Sequence, residues 1–232
     1  MKPAPALPHT VISIVNWYGF AHTAHCLQSI REAQFAACEV VVVDNASRDD
    51  SVARLRTEFP EVRVIQAPSN LGFAGGHQLA LDHALALPGC DLVWMLNNDT
   101  RVLPETRPAF LDAYRQYGDA IYGGVPLNDD LTIEALVGIE LDTDTSPARD
   151  LYFSAGSPFA EVFQDVSARR VTAVHGSNFL IPLQLARRYG FMDTAYFLYA
   201  EETDYCFRLR RLGVHCILVP NAIVFHGDSE AS

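Results

Sequence analysis

The stretch from residue 91 to residue 100, DLVWMLNNDT, decides the predicted fold. Its five consecutive apolar residues, Leu92 to Leu96, are typical of a strand buried on both faces, as in a parallel sheet covered by helices. The run ends at Asn97, Asn98 and Asp99. Ligands of open α/β sheets bind beyond the carboxyl ends of the strands, and a lone carboxylate there suits a divalent cation that takes other ligands from water and phosphates. An Asx turn that closes the strand is the simpler alternative.

Apolar runs alternate with helical stretches along most of the remaining chain. This alternation predicts right-handed βαβ units and an α/β fold, a single domain with a mostly parallel central sheet flanked by helices. The segment 127–166 is polar and mixed, and we expect it to cross one face of the sheet. Predicted strands cover 11–15, 39–43, 62–66, 92–96, 120–125, 171–182 with a break at 175–178, 214–219 and 222–225. The first three predicted helices cover 20–31, a stretch capped by Ser47 that ends near 59, and a stretch that follows the glycine-rich turn 70–76 and ends at 87. The last two cover 104–117 and 200–212, with Gly213 as the stop of the latter.

Charge and length limit the possible functions. The 232 residues fit one α/β domain, and 17 basic against 28 acidic residues give a net charge of −11. This balance argues against a nucleic-acid partner, because contact with a phosphate backbone needs a basic face. One small phosphorylated ligand remains compatible with it, since a metal ion can supply the positive charge.

The cysteines and the N-terminus bear on the compartment. Five scattered cysteines without a CxxC pair predict buried free thiols in a reducing compartment rather than disulfides or a zinc site. The proline-rich segment 1–10 lacks the apolar core of a signal peptide, and we expect it to be flexible. No apolar run is long enough to span a bilayer. We expect a cytoplasmic protein, and its docking at the cytoplasmic face of the inner membrane stays open.

The turn after the first strand excludes two common classes of nucleotide-binding protein. It reads NWYGFA (16–21), with bulky rings where a dinucleotide-binding fold needs GxGxxG, and the later GFAGG (72–76) is not a Walker loop. NAD enzymes and P-loop ATPases are therefore disfavoured. Asp44, at the tip of the second strand, could accept hydrogen bonds from a ribose or a base, and an Asx turn is again the alternative.

Acidic and histidine side chains near the C-terminus are candidates for catalysis. On the predicted helix 200–212, Glu202 shares a stripe with Cys206 and Leu209 that should face inward, so Glu202 is a candidate general base or a helix cap. Glu201 and Asp204 fall on the other stripe, which we expect to be a solvated row of ion pairs with the arginines. His226 follows an apolar strand and is a candidate ligand for the cation of Asp99, and His175 has the same ambiguity.

Seven motifs follow one another along the chain: VISIVNW (11–17), VVVDNASRDDS within the run from residue 40, NLGFAGG (70–76), LNNDT (96–100), HGSNFLI (175–181), FLYAEETDYCFRLRRLG (197–213) and VPNAIVFH (219–226). Together they resemble family 2 glycosyltransferases of the GT-A fold, and the bacterial rhamnosyltransferase-like group in particular. The resemblance covers nearly the whole chain except the segment 127–166.

The resemblance implies a role for each motif. It implies a nucleotide-binding half at 11–100 and an acceptor and catalytic half at 101–232. Asp99 and His226 would hold Mg²⁺ or Mn²⁺, and Glu202 would be the catalytic base, with Asp204 or Glu201 as substitutes. The nucleotide would be bound by Asn16, Asp44, Asn45, Asn70, Gly72, Gly76, Asn97 and Asn98. The acceptor would be bound by His175, Gly176 and Ser177.

The implied activity is metal-dependent transfer of a sugar with inversion. The donor would be a dTDP- or UDP-sugar, dTDP-rhamnose among them, and the acceptor a hydroxyl of a bacterial surface glycan or its lipid-linked precursor. A divalent ion would stabilise the leaving diphosphate while a carboxylate deprotonates the acceptor hydroxyl. The resemblance implies no nucleic-acid partner, and it leaves peripheral membrane association and the oligomeric state open.

Departures from the family pattern keep two rivals open. Tyr18 and His77 stand where the group usually has Asn, and Glu202 is one methylene longer than the common Asp. The longer base would allow a non-catalytic nucleotide-sugar-binding subunit. The other rival, a sugar nucleotidyltransferase, needs a basic glycine-rich loop after the first strand, and the segment 18–25 contains no Lys or Arg.

Overall fold

The computed structural model describes residues 6–135, 138–139 and 155–227. Within these residues, nine strands form one sheet and two strands form a small second sheet. The strands are β1 (His9–Asn16), β2 (Cys38–Asp44), β3 (Arg63–Gln66), β4 (Cys90–Leu96), β5 (Thr100–Val102), β6 (Ile121–Leu127), β7 (Gly138–Ile139), β8 (Arg169–Val171), β9 (Ala173–Val174), β10 (Asn178–Pro182) and β11 (Cys216–His226). The helices are α1 (Phe20–Ala33), α2 (Ser51–Glu58), α3 (Gly72–Ala86), α4 (Thr106–Tyr117), α5 (Phe159–Val162), α6 (Leu183–Tyr189) and α7 (Glu201–Arg210).

The N-terminal half of the large sheet is parallel, as expected. Its strand order is β3-β2-β1-β4, and β1 pairs in parallel with both β2 and β4. The register places Asn16 opposite Asp44 and Ile14 opposite Leu96. The carboxyl ends of β1, β2 and β4 therefore meet at one edge of the sheet, which is where such sheets bind ligands.

The other half of the sheet is mixed in direction. The order continues β10-β6-β11-β5, and β10 runs antiparallel to β4 and to β6. This reversal places Asn178, the first residue of β10, opposite Leu96, the last residue of β4. Strand β11 pairs with β5 antiparallel and sets His226 opposite Thr100. Both reversals bring later residues to the edge where β4 ends.

Strand β4 is buried on both faces, which confirms the prediction from its apolar run. Val93 and Met95 pack into the apolar cluster under α3, α6 and α7. Leu92, Trp94 and Leu96 pack into the cluster on the other face, which includes α1, α2 and α4. Full burial of one such side chain contributes about 1.5–3 kcal/mol, so this strand anchors both layers. The indole N–H of Trp94 donates to Oδ1 of Asn178 at 2.8 Å and ties β4 to β10.

Two helix starts differ from the prediction. Helix α2 begins at Ser51, and Ser47 does not cap it, because its hydroxyl accepts from the backbone N–H of Tyr18 and its own N–H donates to Oδ1 of Asp44. Helix α3 begins at Gly72, so the glycine-rich stretch forms its first turns and is not a loop. A Cβ at Gly76 would lie 2.8 Å from Cγ2 of Val15, so the absence of a side chain lets α3 approach β1 closely.

Other elements were missed or divided by the prediction. Helix α6 follows β10 directly and was not predicted, and the two predicted strands near the C-terminus form one irregular strand, β11. In the segment 127–166, residues 136–137 and 140–154 lie outside the described residues. The described part includes α5 and the pairing of β7 with β9. All five cysteines are free thiols. No described helix combines the length and hydropathy needed to cross a bilayer.

Candidate functional site

A cavity of about 250 Å³ lies at the carboxyl edge of β1, β2 and β4. Six of the predicted site residues line it: Asn45, Asn70, Gly72, Asn97, Asn98 and Asp99. The parallel register explains this meeting, because each of these residues follows a strand or begins the helix after one. Residues that the sequence did not single out for the cavity also line it: Val15, Trp17, Phe73, Leu96, Phe197 and Leu198, together with His77, noted only as a departure from the family pattern.

A buried chain of polar side chains lies beneath this cavity. Oδ2 of Asp44 accepts from Nδ2 of Asn16 at 2.8 Å, and Oδ1 of Asn16 accepts from the hydroxyl of Thr23 at 2.7 Å. Nδ2 of Asn98 donates to the same hydroxyl at 3.1 Å and so connects the chain to the cavity wall. Asp44 and Asn16 are fully buried and do not line the cavity. Oδ1 of Asp44 accepts from the backbone N–H of Ser47 at 2.9 Å, a local contact of the kind that the Asx-turn alternative predicts. A role for Asp44 or Asn16 in binding a base stays a prediction.

The start of α3 is locked against the segment that precedes α7. Gly72 has a φ of +70°, and a Cβ there would lie 2.0 Å from the carbonyl oxygen of Phe197. That carbonyl accepts from the backbone N–H of Phe73 at 2.9 Å. Asn45 donates to the carbonyl of Gly72 at 2.9 Å, and Asn70 accepts from its N–H at 2.9 Å. Only glycine fits this position, and the contact holds Phe197 over the cavity.

Residues with strained backbone conformations also lie beside the cavities. Tyr18, Ala46, Tyr199 and Ala200 have φ values between +53° and +71° although none is glycine. Each costs on the order of 1 kcal/mol or more, which the surrounding contacts must offset. Such residues are typical of sites where backbone must be aimed at a ligand.

Asp99 and His226 are brought together, as the hypothesis of a shared cation requires. Oδ1 of Asp99 lies 3.2 Å from Nε2 of His226, and Nδ2 of Asn97 lies 2.9 Å from the same nitrogen. The antiparallel pairing of β5 with β11 produces this contact. Burial favours the neutral ring, but the carboxylates of Asp99 and Glu134 outweigh it and raise the pKa of His226 to about 9. Burial likewise opposes ionisation of Asp99, and His226 nevertheless lowers the pKa of that carboxyl.

The donor atoms of this pair fit a divalent metal ion. Carboxylate oxygen and imidazole nitrogen are both ligands for Mn²⁺, and two neighbouring ligands of an ion bound at about 2.1 Å lie about 3 Å apart. The distance of 3.2 Å between Asp99 and His226 is close to this value. Among the described residues, no group of three His, Cys, Asp or Glu side chains is arranged to hold a metal. The pair would therefore need phosphate oxygens and water to complete the coordination.

Glu134 is a site residue that the sequence did not indicate. Its Oε2 lies 3.0 Å from Nδ1 of His226, on the side of the ring away from Asp99. The contact with His226 lowers the pKa of the Glu134 carboxyl. Glu134 belongs to the segment 127–166, which has no periodic pattern and no motif of the resemblance. No signal in the sequence could have found it.

A second, smaller cavity of about 90 Å³ adjoins the first. The predicted acceptor residues His175, Gly176 and Ser177 line it, with Glu201 and Glu202 from the first turn of α7. Nδ1 of His175 lies 2.8 Å from the hydroxyl of Ser177, and burial lowers the pKa of His175. The two cavities share Phe73, Asn97 and Leu198 as lining residues. A ligand in one would therefore lie beside a ligand in the other.

Of the three acidic residues of α7, Glu201 and Glu202 are placed differently from the prediction, and Asp204 forms the expected ion pair. Glu201, expected in the solvated stripe, is only 3% exposed, and burial raises its pKa. Glu202, expected to be buried, is half-buried, and its Cγ would lie 3.3 Å from a Cβ at Gly176. The reason is the phase of the helix, because Glu201 shares its buried face with Tyr205 and Leu209. Asp204 lies 3.6 Å from Arg208 as an ion pair and lines neither cavity.

Comparison with known sequences identifies the family. The family model described as "Glycosyl transferase family 2" matches residues 14–138, which is more than half of the chain. The chain belongs to this family. The match spans β1 to β7 and includes the cavity residues on β1 to β4 together with Asp99 and Glu134.

Curated relatives of this glycosyltransferase family 2 chain carry names from the same class. It is 25% identical over 177 residues to the "Low-salt glycan biosynthesis hexosyltransferase Agl10" of Haloferax volcanii, covering 76% of this chain and 55% of that protein. It is 24% identical over 230 residues to the "N-acetylglucosaminyl-diphospho-decaprenol L-rhamnosyltransferase" of Mycobacterium tuberculosis, covering 91% of this chain and 73% of that protein. The chain thus spans only about half of the length of the first of these relatives.

The fold of this family 2 chain is also that of solved glycosyltransferases. The crystal structure of GalNAc-T7 with UDP, GalNAc and Mn²⁺ superposes with a TM-score of 0.72 at 13% identity, over 96% of this chain and 44% of that one. The GT-A fold expected from the sequence is confirmed. At this identity the likeness concerns the fold alone.

Proposed function

We propose that this family 2 domain transfers a sugar from a nucleoside diphosphate sugar to a hydroxyl group, with inversion at the anomeric carbon. The observation that carries the proposal is the Asp99–His226 pair at the border of a cavity that adjoins a second cavity with an acidic wall. The donor would occupy the larger cavity and the acceptor the smaller one. Both substrates would then be held side by side, which makes the reaction effectively unimolecular.

The donor is proposed to be a dTDP- or UDP-sugar. Asn45, Asn97 and Asn98 offer amide donors and acceptors at the cavity wall, and Trp17 offers an exposed ring. The buried chain from Asp44 to Asn98 would keep the wall in shape for the nucleotide. The mycobacterial relative is named as an L-rhamnosyltransferase, which supports dTDP-rhamnose as one donor to test.

Asp99 and His226 are proposed to hold Mg²⁺ or Mn²⁺ against the diphosphate. A bound divalent ion supplies positive charge where the leaving group becomes more negative. Asp99 is half-buried and has a lowered pKa, so its carboxylate is ionised and ready to bind a cation. The rest of the chain has an excess of acidic residues, so an ion is the more natural source of positive charge here than a basic side chain.

Glu202 is proposed to be the general base that removes the proton of the acceptor hydroxyl. It lines the smaller cavity beside Gly176, and His175 and Ser177 would orient the acceptor. Glu201 lines the same cavity and is the alternative base. Its raised pKa would let it take a proton, but its burial restricts access to the acceptor. Asp204 is the weakest candidate because it is paired with Arg208 outside both cavities.

The acceptor is proposed to be a bacterial surface glycan or its lipid-linked precursor. The relatives are named for glycan biosynthesis and for a diphospho-decaprenol acceptor, which supports this class. Exposed apolar side chains at the mouth of the cavities, including Tyr199 at 78% exposure, would suit an acceptor with an apolar portion. The five free thiols support a reducing compartment such as the cytoplasm.

A thermal-shift panel tests this proposal. UDP, dTDP, their sugar conjugates, ATP and NAD would each be added with and without Mn²⁺. We expect UDP or dTDP to raise the melting temperature only when Mn²⁺ is present, because a ligand that binds the native state stabilises it by mass action. A shift with ATP or NAD instead would overturn the proposal. Binding without turnover of any nucleotide sugar would favour a non-catalytic subunit.

A further inference from the structure

Both ring nitrogens of His226 have a polar neighbour. On one side, Nε2 faces Nδ2 of Asn97 at 2.9 Å and Oδ1 of Asp99 at 3.2 Å. On the other side, Nδ1 faces Oε2 of Glu134 at 3.0 Å. The His226 side chain is 12% exposed, so water has little access to compete for these contacts. The ring therefore has a carboxylate beside each nitrogen, and the contact between Nδ1 and Oε2 of Glu134 is an ion-pair distance without the alignment of a hydrogen bond.

The contact with Glu134 indicates which nitrogen would keep its proton when a cation is bound. Nε2 has the amide of Asn97 at 2.9 Å and the carboxylate of Asp99 at 3.2 Å as neighbours, so this nitrogen is the one that a cation shared with Asp99 would bind. A cation bound at Nε2 would displace the proton from that nitrogen, so the remaining ring proton would lie on Nδ1. Nδ1 is the nitrogen that faces the carboxylate of Glu134, and a carboxylate can only accept. Glu134 is thus placed to accept from Nδ1 while Nε2 binds a cation.

We propose that Glu134 is a positioning residue that holds His226 in the Nδ1–H tautomer and presents the Nε2 lone pair beside Asp99 for a divalent cation. This inference rests on the proposed metal-dependent function of the same site. A histidine that binds a metal commonly donates its other N–H to a carboxylate, which fixes the ring and makes the ligating nitrogen more basic. Glu134 would fill this supporting role without binding the metal itself.

The backbone around Glu134 is rigid enough for this role. The N–H of Glu134 donates to the carbonyl of Pro126 at 3.0 Å, and Leu127 and Ile133 form a bridge between the two sides of the turn. Ile133 is fully buried in a separate apolar cluster with Val125, Leu127, Phe163 and Leu218. This packed turn therefore fixes the position of Glu134.

Mn²⁺ binding measured by electron paramagnetic resonance tests the inference. Removal of the carboxylate in Glu134→Ala should weaken Mn²⁺ binding about 10- to 100-fold, the usual effect of losing such a partner. Glu134→Gln keeps an acceptor oxygen, so it should restore part of the affinity. Glu161→Ala removes an exposed carboxylate of the same segment and should bind Mn²⁺ like the unmodified protein. Circular dichroism would verify that each variant is folded.

Ring ¹⁵N spectra of the unmodified protein loaded with diamagnetic Zn²⁺ provide a readout that does not depend on the folding of any Glu134 variant. We expect His226, assigned with His226→Ala, to bind the ion through Nε2 and to keep its proton on Nδ1. Ligation through Nδ1, or a folded Glu134→Ala variant that binds Mn²⁺ normally, would overturn the inference. If the unmodified protein and His226→Ala bind Mn²⁺ equally, the proposed metal site itself fails, and the two failures are thereby distinguished.

Discussion

Oδ1 of Asp99 lies 3.2 Å from Nε2 of His226, although the two residues belong to different halves of the chain. Asp99 follows β4, and His226 is the last residue of β11, which reaches it through the pairing with β5. A carboxylate and an imidazole at this separation, beside a cavity, have the donor atoms and spacing that the proposed divalent cation needs. The predictions below start from this pair.

The first prediction concerns the aspartates at the two ends of β4. Asp99→Asn should weaken Mn²⁺-dependent binding of UDP or dTDP at least tenfold, or about 1.4 kcal/mol, because it removes the charged ligand of the pair. Asp91 lies at the other end, where it accepts from the N–H of His9 at 2.8 Å, so Asp91→Asn is a matched control that should bind normally. Isothermal titration calorimetry measures both. Equal affinities would remove Asp99 from the metal site.

The second prediction separates the two glutamates of the smaller cavity. Glu202→Gln should lower the rate of sugar transfer about 10²- to 10⁴-fold, the usual contribution of a general base, and leave the dissociation constant of the nucleotide unchanged. Glu201→Gln should have the smaller effect on transfer, because Glu201 is almost fully buried. Radiolabelled sugar transfer and calorimetry measure the two quantities. If Glu201→Gln instead abolishes transfer, the base is Glu201 and not Glu202.

The third prediction concerns stability and pH at Glu201. Burial raises the pKa of Glu201 in the folded protein above the usual 4.5 that it has in the unfolded chain. Between pH 4.5 and this raised pKa, the folded protein binds more protons than the unfolded chain. Stability contributed by this group therefore falls as the pH rises through that range. Glu201→Gln should melt at nearly the same temperature as the unmodified protein near pH 4 and at a higher one near pH 7.

Scanning calorimetry across this pH range tests the prediction, with Glu161→Gln as an exposed control. The difference in melting temperature between Glu201→Gln and the unmodified protein should grow with pH. A difference that is constant with pH would show that ionisation of Glu201 is not the cause.

The fourth prediction compares two glycines in the left-handed region. Gly72 and Gly89 have φ values of +70° and +78°, and only Gly72 has neighbours that a Cβ would meet. Gly89→Ala should cost about 1–2 kcal/mol from backbone strain alone. Gly72→Ala should cost about 1–3 kcal/mol more, because the Cβ would collide with the carbonyl of Phe197.

Urea denaturation measures both costs, and a nucleotide titration shows the local effect. We expect Gly72→Ala to weaken nucleotide binding, since Phe197 would have to leave the cavity wall, while Gly89→Ala binds normally. Equal destabilisation of the two variants would mean that Phe197 moves aside freely.

Strand β4 shows how much of the fold the sequence could predict. Its burial on both faces and its polar end follow from local chemistry, because an apolar run and the residues that stop it lie next to each other in the chain. The same holds for the ends of β1 and β2. The direction of β10 could not be predicted, because a buried apolar strand such as FLI has the same pattern whether it runs parallel or antiparallel to its neighbour.

The candidate site was predictable only in part. Asp99, Asn97 and Asn98 follow a recognisable strand, so their place at the cavity could be predicted. The burial of Glu201 depends on where α7 begins, and a shift of one residue exchanges it with Glu202. Glu134 and the carbonyl of Phe197 reach the site through tertiary contacts between distant segments, and no spacing or composition in the sequence encodes them.

Phe73, Asn97 and Leu198 line both cavities, so a donor and an acceptor bound as proposed would both contact this wall. A donor bound in the larger cavity would fix the position of this wall and thereby the shape of the smaller cavity. The reaction should then follow a compulsory order, in which the nucleotide sugar binds before the acceptor and the nucleoside diphosphate leaves last.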